Sequence, residues 1–455
     1  MKEQIEKIVA DFCTTYRIPG LALQVAKNGE VMLEAYEGYR DVEQKLPINA
    51  HTVFGVASIT KSFTTLAIMM LQEAGKLHID DEVKAWIPTL EKIQTGTKIH
   101  HLMTHTAGYK GLTAFHRARL QSMLEDKDSA MLFNLPINKA LANVVTVEDM
   151  IAVMNEEVDS FIGIPGEKFN YSNESYALLQ YICEKASGTK YTTFVRSHIL
   201  EPLGMNRTFF TVDEMNEKEN ITEIYAYTKD KARQVFHSPT WWASGEIYSA
   251  GALKSSIQNI MRYLEIFQNG GTVDGKQFLN EESMKQMMQP EIKSPHGVHY
   301  GYGLLTYNIY GETLVGHGGG MKGVSSFMGI VKSAGLTIAV LTNIAEVPTE
   351  LLVKKIVAEI LQLSPNDEEP KMISTYEHII KYEGMYDSGE GQKIAVCIEN
   401  NRLYLRVQHE YIATTQVAHN LFRLPDEKYI AFETDRSGRV CGMYRGMRYY
   451  SKQSV

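Results

Sequence analysis

The arrangement of strand-like segments constrains the fold of this chain more than any other feature of its sequence. Apolar runs at 21–26 and 31–36 flank Asn28-Gly29, a pair that tolerates positive φ and favours a tight β-hairpin. Further strand-like runs return near the far end of the first 363 residues, at 302–310, 313–316, 325–331 and 336–341. Because the sequence between these two groups has mostly helical periodicity, it predicts one antiparallel sheet built from both ends, with a helical subdomain inserted.

The chain divides into three predicted parts, which together make an α+β, multi-domain protein. Residues 1–363 form an antiparallel sheet flanked by helices, with an all-α subdomain inserted at about 78–240. The flanking helices are predicted at 3–16, 257–268 and 351–361. The segment 364–370 has a proline at each end and polar residues between, which predicts a linker. Short alternating apolar runs in 371–455 predict a small antiparallel β-barrel, with strands near 394–398, 403–407, 429–432 and 440–444.

Composition excludes several classes of protein. The 455 residues include 46 Lys and Arg against 54 Asp and Glu, a net charge of −8, so the basic excess needed for nucleic-acid binding is absent. The four cysteines are far apart and have no zinc-ligand spacing, so we expect reduced thiols, no disulfide framework and no metal site. The apolar runs are too short to span a membrane and the first residues show no secretory signal, which predicts a cytoplasmic protein without a membrane partner.

The strongest chemical signal is the tetrad Ser58-Ile59-Thr60-Lys61, which precedes an apolar helix. Its spacing places Ser58 at the first turn of that helix and Lys61 over the same face. Backbone N–H groups there favour the negative charge that develops when a hydroxyl attacks a carbonyl, and a lysine can take the hydroxyl proton. The same pattern occurs again as Ser187-Gly188-Thr189-Lys190, which we interpret as an inert helix end and turn.

Two further motifs follow the first tetrad in order, Tyr171-Ser172-Asn173 and His317-Gly318-Gly319-Gly320. With these three motifs the chain resembles the serine β-lactamase and penicillin-binding-protein superfamily, in the branch of class C β-lactamases and D-alanyl-D-alanine carboxypeptidases. The resemblance covers about residues 15–362 and implies the β-lactamase/transpeptidase-like fold. The predicted barrel resembles the lipocalin-like domains appended to some members of the superfamily.

The resemblance implies a role for the residues of the first two motifs. Ser58 would be the acylated nucleophile, and Lys61 and Tyr171 would handle its proton. Asn173 would hydrogen-bond both Lys61 and the substrate amide. Because Tyr and Lys both have reference pKa values near 10, either must shift by about three units to act as a base at pH 7, and the choice between them stays open. The resemblance implies no cofactor and no metal.

The third motif departs from the β-lactamase pattern. The resemblance assigns the oxyanion hole to the backbone N–H groups of Ser58 and Gly320, with Gly319 beside them. His317 stands where β-lactamases have a lysine, and Gly318 replaces a threonine. Since an unperturbed imidazole is charged only below about pH 6.5, we expect weak recognition of β-lactams and free carboxylates. We also expect an activity profile set partly by the titration of His317.

These features predict a serine hydrolase that forms an acyl-enzyme on Ser58 and cleaves amide or ester bonds, in small peptides that contain D-amino acids. A carboxylesterase, a transacylase or a weak β-lactamase of the same fold is an alternative. A non-catalytic, penicillin-binding-like regulatory protein is an alternative from another class. The partner implied is a small molecule or short peptide, and a homo-oligomer is left open.

Other notable residues have ordinary structural interpretations. His101 and His105 are four residues apart, but we expect them to fix a loop by hydrogen bonds rather than to bind a metal. The pair Trp241-Trp242 either lines the substrate cleft or packs in the core. Basic residues of the C-terminal segment are interpreted as a solvated barrel exterior, namely Arg439, Arg445 and Arg448.

Overall fold

The computed structural model describes residues 1–133, 141, 143–215, 219–230, 232–294, 297–364, 376–407, 410–425 and 428–453. Its α-helices are α1 (Lys2–Tyr16), α2 (Thr60–Glu73), α3 (Val83–Trp86), α4 (Ile99–Met103), α5 (Ala114–Glu125), α6 (Ser129–Phe133), α7 (Val147–Glu157), α8 (Asn173–Ser187), α9 (Tyr191–Val195), α10 (Ile257–Gln268), α11 (Glu281–Met288), α12 (Thr349–Leu361) and α13 (Tyr376–Ile379).

Within the described residues, the strands fall into two large sheets and three small ones. Those before the C-terminal segment are β1 (Gly20–Lys27), β2 (Glu30–Asp41), β3 (Leu46–Pro47), β4 (Val53–Gly55), β5 (Thr208–Phe209), β6 (Tyr225–Tyr227), β7 (Val235–His237), β8 (Lys254–Ser256), β9 (Thr272–Val273), β10 (Lys276–Gln277), β11 (Ile292–Lys293), β12 (His299–Tyr300), β13 (Leu305–Ile309), β14 (Glu312–Met321), β15 (Val324–Val331) and β16 (Leu336–Thr342). Those of the C-terminal segment are β17 (Gly384–Asp387), β18 (Lys393–Glu399), β19 (Arg402–Val407), β20 (Glu410–Ala413), β21 (Thr415–Ala418), β22 (Leu421–Arg423), β23 (Tyr429–Thr434), β24 (Val440–Arg445) and β25 (Arg448–Lys452).

A nine-stranded antiparallel sheet joins the two ends of the first 363 residues. Its strand order is β11-β12-β13-β14-β15-β16-β1-β2-β3, so the hairpin β1–β2 lies directly beside β16. Asn28 and Gly29 close that hairpin with φ angles of 52° and 84°, the left-handed region that such a turn requires. The prediction of one antiparallel sheet from both chain ends is confirmed.

Helices cover both faces of this sheet, because successive side chains of a strand point to opposite faces. Leu21 and Leu23 of β1 pack in a core with residues of α1 and α12. Ala22 and Ala26 of the same strand pack in the other core, which includes residues of α10 and α2. Helix α10 begins where the sequence predicts, since the side chain of Ser256 caps its first turn.

Helix α2 lies almost entirely in the interior, and its polar side chains are satisfied there. Thr64 Oγ1 donates to Ser249 O at 2.7 Å, and Ser62 Oγ donates to Ile59 O at 2.8 Å. Apolar residues of α2 such as Phe63 pack in the larger core. Because buried polar groups with partners incur little penalty, the helix can carry its first turn into the centre of the molecule.

The C-terminal strands form a second nine-stranded sheet with the order β20-β19-β18-β17-β25-β24-β23-β22-β21. Its edge strands β20 and β21 are separated in the chain by Thr414 alone, so the sheet is nearly closed into a barrel. Large side chains fill its interior, among them Tyr382, Tyr386, Phe422, Phe432 and Met443. The prediction of a small antiparallel barrel is confirmed.

Local differences from the sequence-based expectations have simple causes. The strand predicted at 302–310 begins at Leu305, because Gly303 has a φ of 72° that interrupts the extended conformation. Of the predicted linker 364–370, residues 365–370 lie outside the described residues, and the division into domains stays a prediction. None of the helices in the described ranges is long and apolar enough to cross a membrane.

Candidate active site

Ser58 lies in a short 3₁₀ turn, Ala57–Ile59, that connects β4 to α2. The preceding Ala57 has a φ of 46°, a left-handed conformation that costs a non-glycine residue about 1–2 kcal/mol. The chain just before it is held on both sides, since Val56 N donates to Leu253 O at 3.0 Å and Ser326 Oγ donates to Val56 O at 2.9 Å. Backbone strain persists where the surroundings enforce it, and such places are often functional sites.

The Lys61 side chain is fully buried beside Ser58. Its Nζ lies 3.2 Å from Ser58 Oγ, 2.9 Å from Asn173 Oδ1 and 2.6 Å from Ala250 O. Asn173 is the first residue of α8, and the side chain of Ser172 caps that helix. Capping fixes the start of α8, and with it the position of the Asn173 amide. The structure therefore brings the first two motifs together around one amine.

The surroundings of Lys61 favour its neutral form. Burial lowers the pKa of Lys61 well below its usual 10.5, and the positive charges of Arg448 and Arg119 lower that pKa further. The carboxyl group of Glu174 opposes this shift more weakly. A lysine with a lowered pKa is neutral over a wider range of pH and can accept a proton, so this environment suits Lys61 to the role of general base.

Tyr171 lies on the other side of the site, with its ring centroid 4.8 Å from Lys61 Nζ. Its hydroxyl is buried beside the Ser58 hydroxyl. Burial raises the pKa of Tyr171, and the neighbouring Ser58 hydroxyl, Arg448 and Arg119 offset only part of that rise. A phenol with a raised pKa keeps its proton at neutral pH, so the site suits Tyr171 better to donating a proton than to accepting one.

The glycines of the third motif lie on β14, which packs against the turn that carries Ser58. A Cβ atom on Gly319 would lie 2.2 Å from Val56 O and 2.4 Å from Ser326 Oγ, so this position accepts only glycine without a shift of the backbone. A Cβ on Gly320 would meet no atom within 4 Å. The strand can therefore approach Ser58 closely at Gly319 while Gly320 borders open space, and the oxyanion role of Gly320 stays a prediction.

His317 does not face the substrate space. Its buried ring lies between Tyr300 OH, 3.0 Å from Nε2, and Gly318 O, 2.5 Å from Nδ1. Burial lowers the pKa of His317 to about 3, and the positive charge of Lys61 also lowers it. This enclosure, which the sequence pattern does not show, argues against a titration of His317 near pH 6.5, and the part of His317 in the activity profile stays a prediction. Its direct part in catalysis stays a prediction.

A cavity of about 410 Å³ opens at Ser58. Its lining consists of Ser58, Tyr171, Leu305, Tyr307, Gly318, Gly319, Gly320, Ser326, Phe327, Val347, Pro348, Thr349, Glu350, Met447 and Arg448. The nucleophile candidate, Tyr171 and the motif glycines thus share one space, and Lys61, Asn173 and His317 lie behind it. Glu350 and Arg448 are the charged members of this lining.

Sequence analysis missed the contribution of the C-terminal barrel to this cavity. Arg448 lies against Tyr171, with its guanidinium carbon 5.0 Å from the ring centroid, and its Nη1 donates to Tyr171 O. The interpretation of Arg448 as solvated exterior is therefore wrong, because the hairpin that carries it folds onto the site. Arg439 is exterior as expected, with 84% of its side chain exposed. No local pattern distinguishes these two arginines.

The other notable residues have structural roles. His105 Nδ1 accepts a hydrogen bond from Ser172 N at 3.0 Å, and its ring centroid lies 4.2 Å from that of Tyr171, which confirms the loop-fixing interpretation. Among the residues that the structure describes, no cluster of three or more His, Cys, Asp or Glu is placed to hold a metal ion. Trp242 packs in a small core and donates from Nε1 to Asp126 Oδ2 at 2.8 Å, which confirms the packing interpretation for this residue.

Comparison with known proteins identifies the family of this chain. The sequence profile of the Beta-lactamase family matches residues 5–361. Penicillin-binding protein 4* of Bacillus subtilis (strain 168) is 27% identical over 406 residues, which cover 84% of this chain and 82% of that protein. An octameric penicillin-binding protein homologue from Pyrococcus abyssi aligns over 99% of both chains, with 28% identity and a TM-score of 0.71. SurE, in a structure with D-Leu, shares the fold over 99% of both chains, with 19% identity and a TM-score of 0.72. Because the family profile spans most of the sequence and the three motifs meet at one cavity, the chain belongs to the Beta-lactamase family.

Proposed function

We propose that this protein is a serine hydrolase that forms an acyl-enzyme on Ser58 and cleaves amide bonds in small peptides containing D-amino acids. The observation that carries the proposal is the buried amine of Lys61, held 3.2 Å from Ser58 Oγ and 2.9 Å from Asn173 Oδ1. A nucleophile and a base within hydrogen-bonding distance, with the base oriented by a third group, form the arrangement that nucleophilic catalysis requires.

The acylation step follows from this geometry. Neutral Lys61 takes the proton of Ser58 as Oγ bonds to the carbonyl carbon of the substrate. The carbonyl oxygen becomes an oxyanion, which the N–H groups of Ser58 and Gly320 would stabilise. The C–N bond then breaks as the leaving nitrogen receives a proton from Tyr171, and Lys61 returns its proton to the phenol. The raised pKa of Tyr171 supports this role, because it keeps the phenol protonated until the leaving group needs it.

Hydrolysis of the acyl-enzyme uses the same groups in reverse. Water enters the position that the leaving amine vacated and gives a proton to the Tyr171/Lys61 pair as it attacks the ester carbon. The Ser58 Oγ–C bond then breaks, and Ser58 regains its proton from Lys61. Microscopic reversibility requires no additional base, and the buried amine of Lys61 lies within 3.2 Å of the leaving oxygen.

The size of the cavity supports a short peptide as substrate. A volume of about 410 Å³ accommodates a few residues at most. Its charged lining residues are one carboxylate, Glu350, and one guanidinium, Arg448. Each is already paired with an opposite charge, Lys354 for Glu350 and Glu390 for Arg448, so neither selects the charge of the substrate. The D-Leu in the SurE structure supports a D-amino acid as part of the substrate.

Covalent labelling tests the nucleophile. The wild-type protein is incubated with a fluorophosphonate and, separately, with a fluorescent penicillin, and intact mass is measured. We expect one adduct per chain with the fluorophosphonate, its loss in Ser58→Ala, and an unchanged adduct in Ser187→Ala, the matched control from the second Ser-x-x-Lys tetrad. A wild-type chain without an adduct would overturn the proposal and favour a non-catalytic binding protein. An adduct that survives in Ser58→Ala would overturn it by showing that another residue is the nucleophile.

Matched substrates test the class of bond and the stereochemistry. Initial rates are compared for D- and L-aminoacyl p-nitroanilides and for short-chain p-nitrophenyl esters. We expect the D-aminoacyl amides to have the higher kcat/KM of the two amide series. Turnover of esters alone would replace the peptidase proposal with an esterase. Rapid hydrolysis of nitrocefin would instead favour a β-lactamase, and transfer of the acyl group to an added amine a transacylase.

The octameric state of the Pyrococcus abyssi homologue supports a further part of the proposal, that this chain also forms a homo-oligomer. The two chains align over 99% of their lengths, so the barrel is common to both. Light scattering coupled to size exclusion gives the mass directly. A mass of 51.4 kDa at all accessible concentrations would overturn this part and leave the catalytic proposal intact.

A further inference from the structure

The turn between β24 and β25 brings the C-terminal barrel into the active site. Met447 and Arg448 of this hairpin line the same cavity as Ser58. We propose that Arg448 is a positioning residue for Tyr171, so that the barrel completes the active site instead of serving as an independent module. The inference rests on the proposed acylation of Ser58, and it extends the catalytic machinery to a residue 277 positions away from Tyr171 in the chain.

Both main-chain polar groups of Tyr171 bond to this hairpin. Tyr171 N donates to Met447 O at 3.1 Å, and Arg448 Nη1 donates to Tyr171 O. The neighbouring side chain is held in the same way, since Tyr449 N donates to Asn170 Oδ1 at 3.0 Å. Tyr171 belongs to no helix or strand, so no regular structure fixes its backbone. The hairpin supplies the partners that a helix or sheet would otherwise provide.

The Arg448 side chain is itself anchored. Its Nε lies 3.1 Å from Glu390 Oε1, which belongs to the loop that follows β17, and the two side chains are only 25% and 31% exposed. The same guanidinium lies over the Tyr171 ring, 5.0 Å from the centroid. A planar guanidinium can hydrogen-bond a carboxylate and a carbonyl at its edges while its face contacts an aromatic ring, and an ammonium group cannot do all three. The chemistry of arginine is therefore specifically required at this position.

Arg448 also sets the charge around the proton-handling pair. The charged groups that face Lys61 are Arg448, Arg119 of α5 and the buried Glu174 of α8. The rings packed around it are Tyr171, Tyr176, His105 and His317, and burial keeps both histidines neutral by lowering their pKa. Arg448 lowers the pKa of Lys61 and of Tyr171 alike. Removing its charge should therefore raise the pKa of Lys61.

The test compares acylation kinetics in full-length variants. The kcat/KM for a D-aminoacyl p-nitroanilide, whose leaving nitrogen needs the Tyr171 proton, is measured from pH 5 to 10 for wild type, Arg448→Met, Arg448→Lys and Arg445→Met. Arg445 is the matched control, because it lies on the same hairpin but lines the adjoining groove with Glu410 and Lys428 and not the cavity at Ser58. Urea unfolding of each variant shows whether the fold is retained.

We expect Arg448→Met to lower kcat/KM for the amide by about 10- to 100-fold, because Tyr171, which protonates the leaving nitrogen, is no longer held in place. The rise of its rate with pH should move up by about one pH unit, because the neighbouring positive charge is lost. Arg448→Lys should restore the pH at which the rate rises, because it keeps the positive charge. It should restore only part of the rate, because lysine cannot make all three contacts, with Glu390, with Tyr171 O and with the Tyr171 ring. Arg445→Met should match wild type in both measurements.

The outcomes separate this inference from the proposal on which it rests. A wild-type protein that is never acylated overturns the proposed function and the role of Arg448 with it. A wild type that is acylated, with Arg448→Met equal to it in rate and pH profile, overturns the role of Arg448 alone. A slower Arg448→Met with an unmoved pH profile, fully rescued by Arg448→Lys, would also overturn it, because any cation would then be sufficient. If Arg448→Met does not fold, incomplete rescue of the rate by Arg448→Lys decides the question.

Discussion

The two Ser-x-x-Lys tetrads of this chain have the same spacing and opposite surroundings. Lys61 is fully buried and bonds to Ser58 Oγ, and burial lowers its pKa well below the usual value. Lys190 has 73% of its side chain exposed and lies 3.8 Å from a carboxylate oxygen of Glu246. Ser187 ends α8, and its hydroxyl contacts only its near neighbour Thr189 among the described residues. A Ser-x-x-Lys tetrad is therefore suited to catalysis only where the fold shields the lysine amine from water and places the serine hydroxyl at a cavity.

Replacing the lysine of each tetrad gives the largest expected difference. Lys61→Met should slow acylation of Ser58 by about 10²–10⁴-fold, the usual contribution of a positioned general base. Lys190→Met should label at the wild-type rate, because the amine of Lys190 is exposed to solvent and does not line the cavity at Ser58. The rate constant of fluorophosphonate labelling checks both variants at pH 7.

The interpretation of the buried amine fails if Lys61→Met keeps more than about a tenth of the wild-type rate with its fold intact, since a general base contributes more than that. Methionine is chosen because it is unbranched and fills nearly the volume of the lysine stem. Circular dichroism of both variants provides the control for folding.

The glycines near the two tetrads give the next comparison. A Cβ on Gly319 would lie 2.2 Å from Val56 O, so Gly319→Ala must push β14 away from the turn that carries Ser58. A displacement of about 1 Å at reacting groups is enough to reduce the rate by about 10²-fold. Gly188 has a φ of 72°, and a Cβ there would meet no atom within 4 Å, so Gly188→Ala should cost only about 1–2 kcal/mol of stability and leave labelling unchanged. The labelling rate measures the first effect and the urea midpoint measures the second. Equal labelling rates in the two variants would show that Gly319 does not determine how closely β14 approaches Ser58.

Much of this molecule could be predicted because the deciding information is local. The hairpin β1–β2 follows from Asn28-Gly29, and the start of α10 follows from the capping side chain of Ser256. The first two motifs also have local causes, since Ser58 and Lys61 share a helical turn and Asn173 begins a capped helix. Neighbours in sequence determine these features, so a single sequence contains them.

The remaining features depend on contacts between distant parts of the chain. Nothing near His317 indicates that its ring turns toward Tyr300 in the core, because either face of a strand such as β14 can be the buried one. Arg448 reaches Tyr171 only because the barrel packs against the cavity. Arg439 belongs to the same barrel, has the same charge and lies in solvent. Such differences arise in tertiary packing and have no signature in composition or spacing.

The pH profile of labelling tests whether burial changes the titration of His317, as it changes that of Lys61. Because the pKa of His317 is lowered to about 3, its ring stays neutral from pH 5 upward and should contribute no inflection near pH 6.5. Labelling should instead accelerate as pH rises through the lowered pKa of Lys61, since the neutral amine is the active form. His317→Gln should leave the position of that rise unchanged, even where it reduces the rate. A wild-type inflection near pH 6.5 that disappears in His317→Gln would restore the titrating role expected from the sequence.

The smallest expected effect is the coupling between Lys190 and Glu246. Their side chains are 73% and 55% exposed and their closest N–O distance is 3.8 Å, so a double-mutant cycle of urea unfolding with alanine variants should give less than about 0.5 kcal/mol. The same cycle on Lys61 and Asn173 should give more than about 1 kcal/mol, because Lys61 is fully buried, Asn173 is half-buried and their hydrogen bond is shielded from bulk water. Equal couplings at the two sites would mean that water reaches Lys61 as freely as Lys190. The lowered pKa of Lys61, and with it the assignment of the base, would then lose its physical cause.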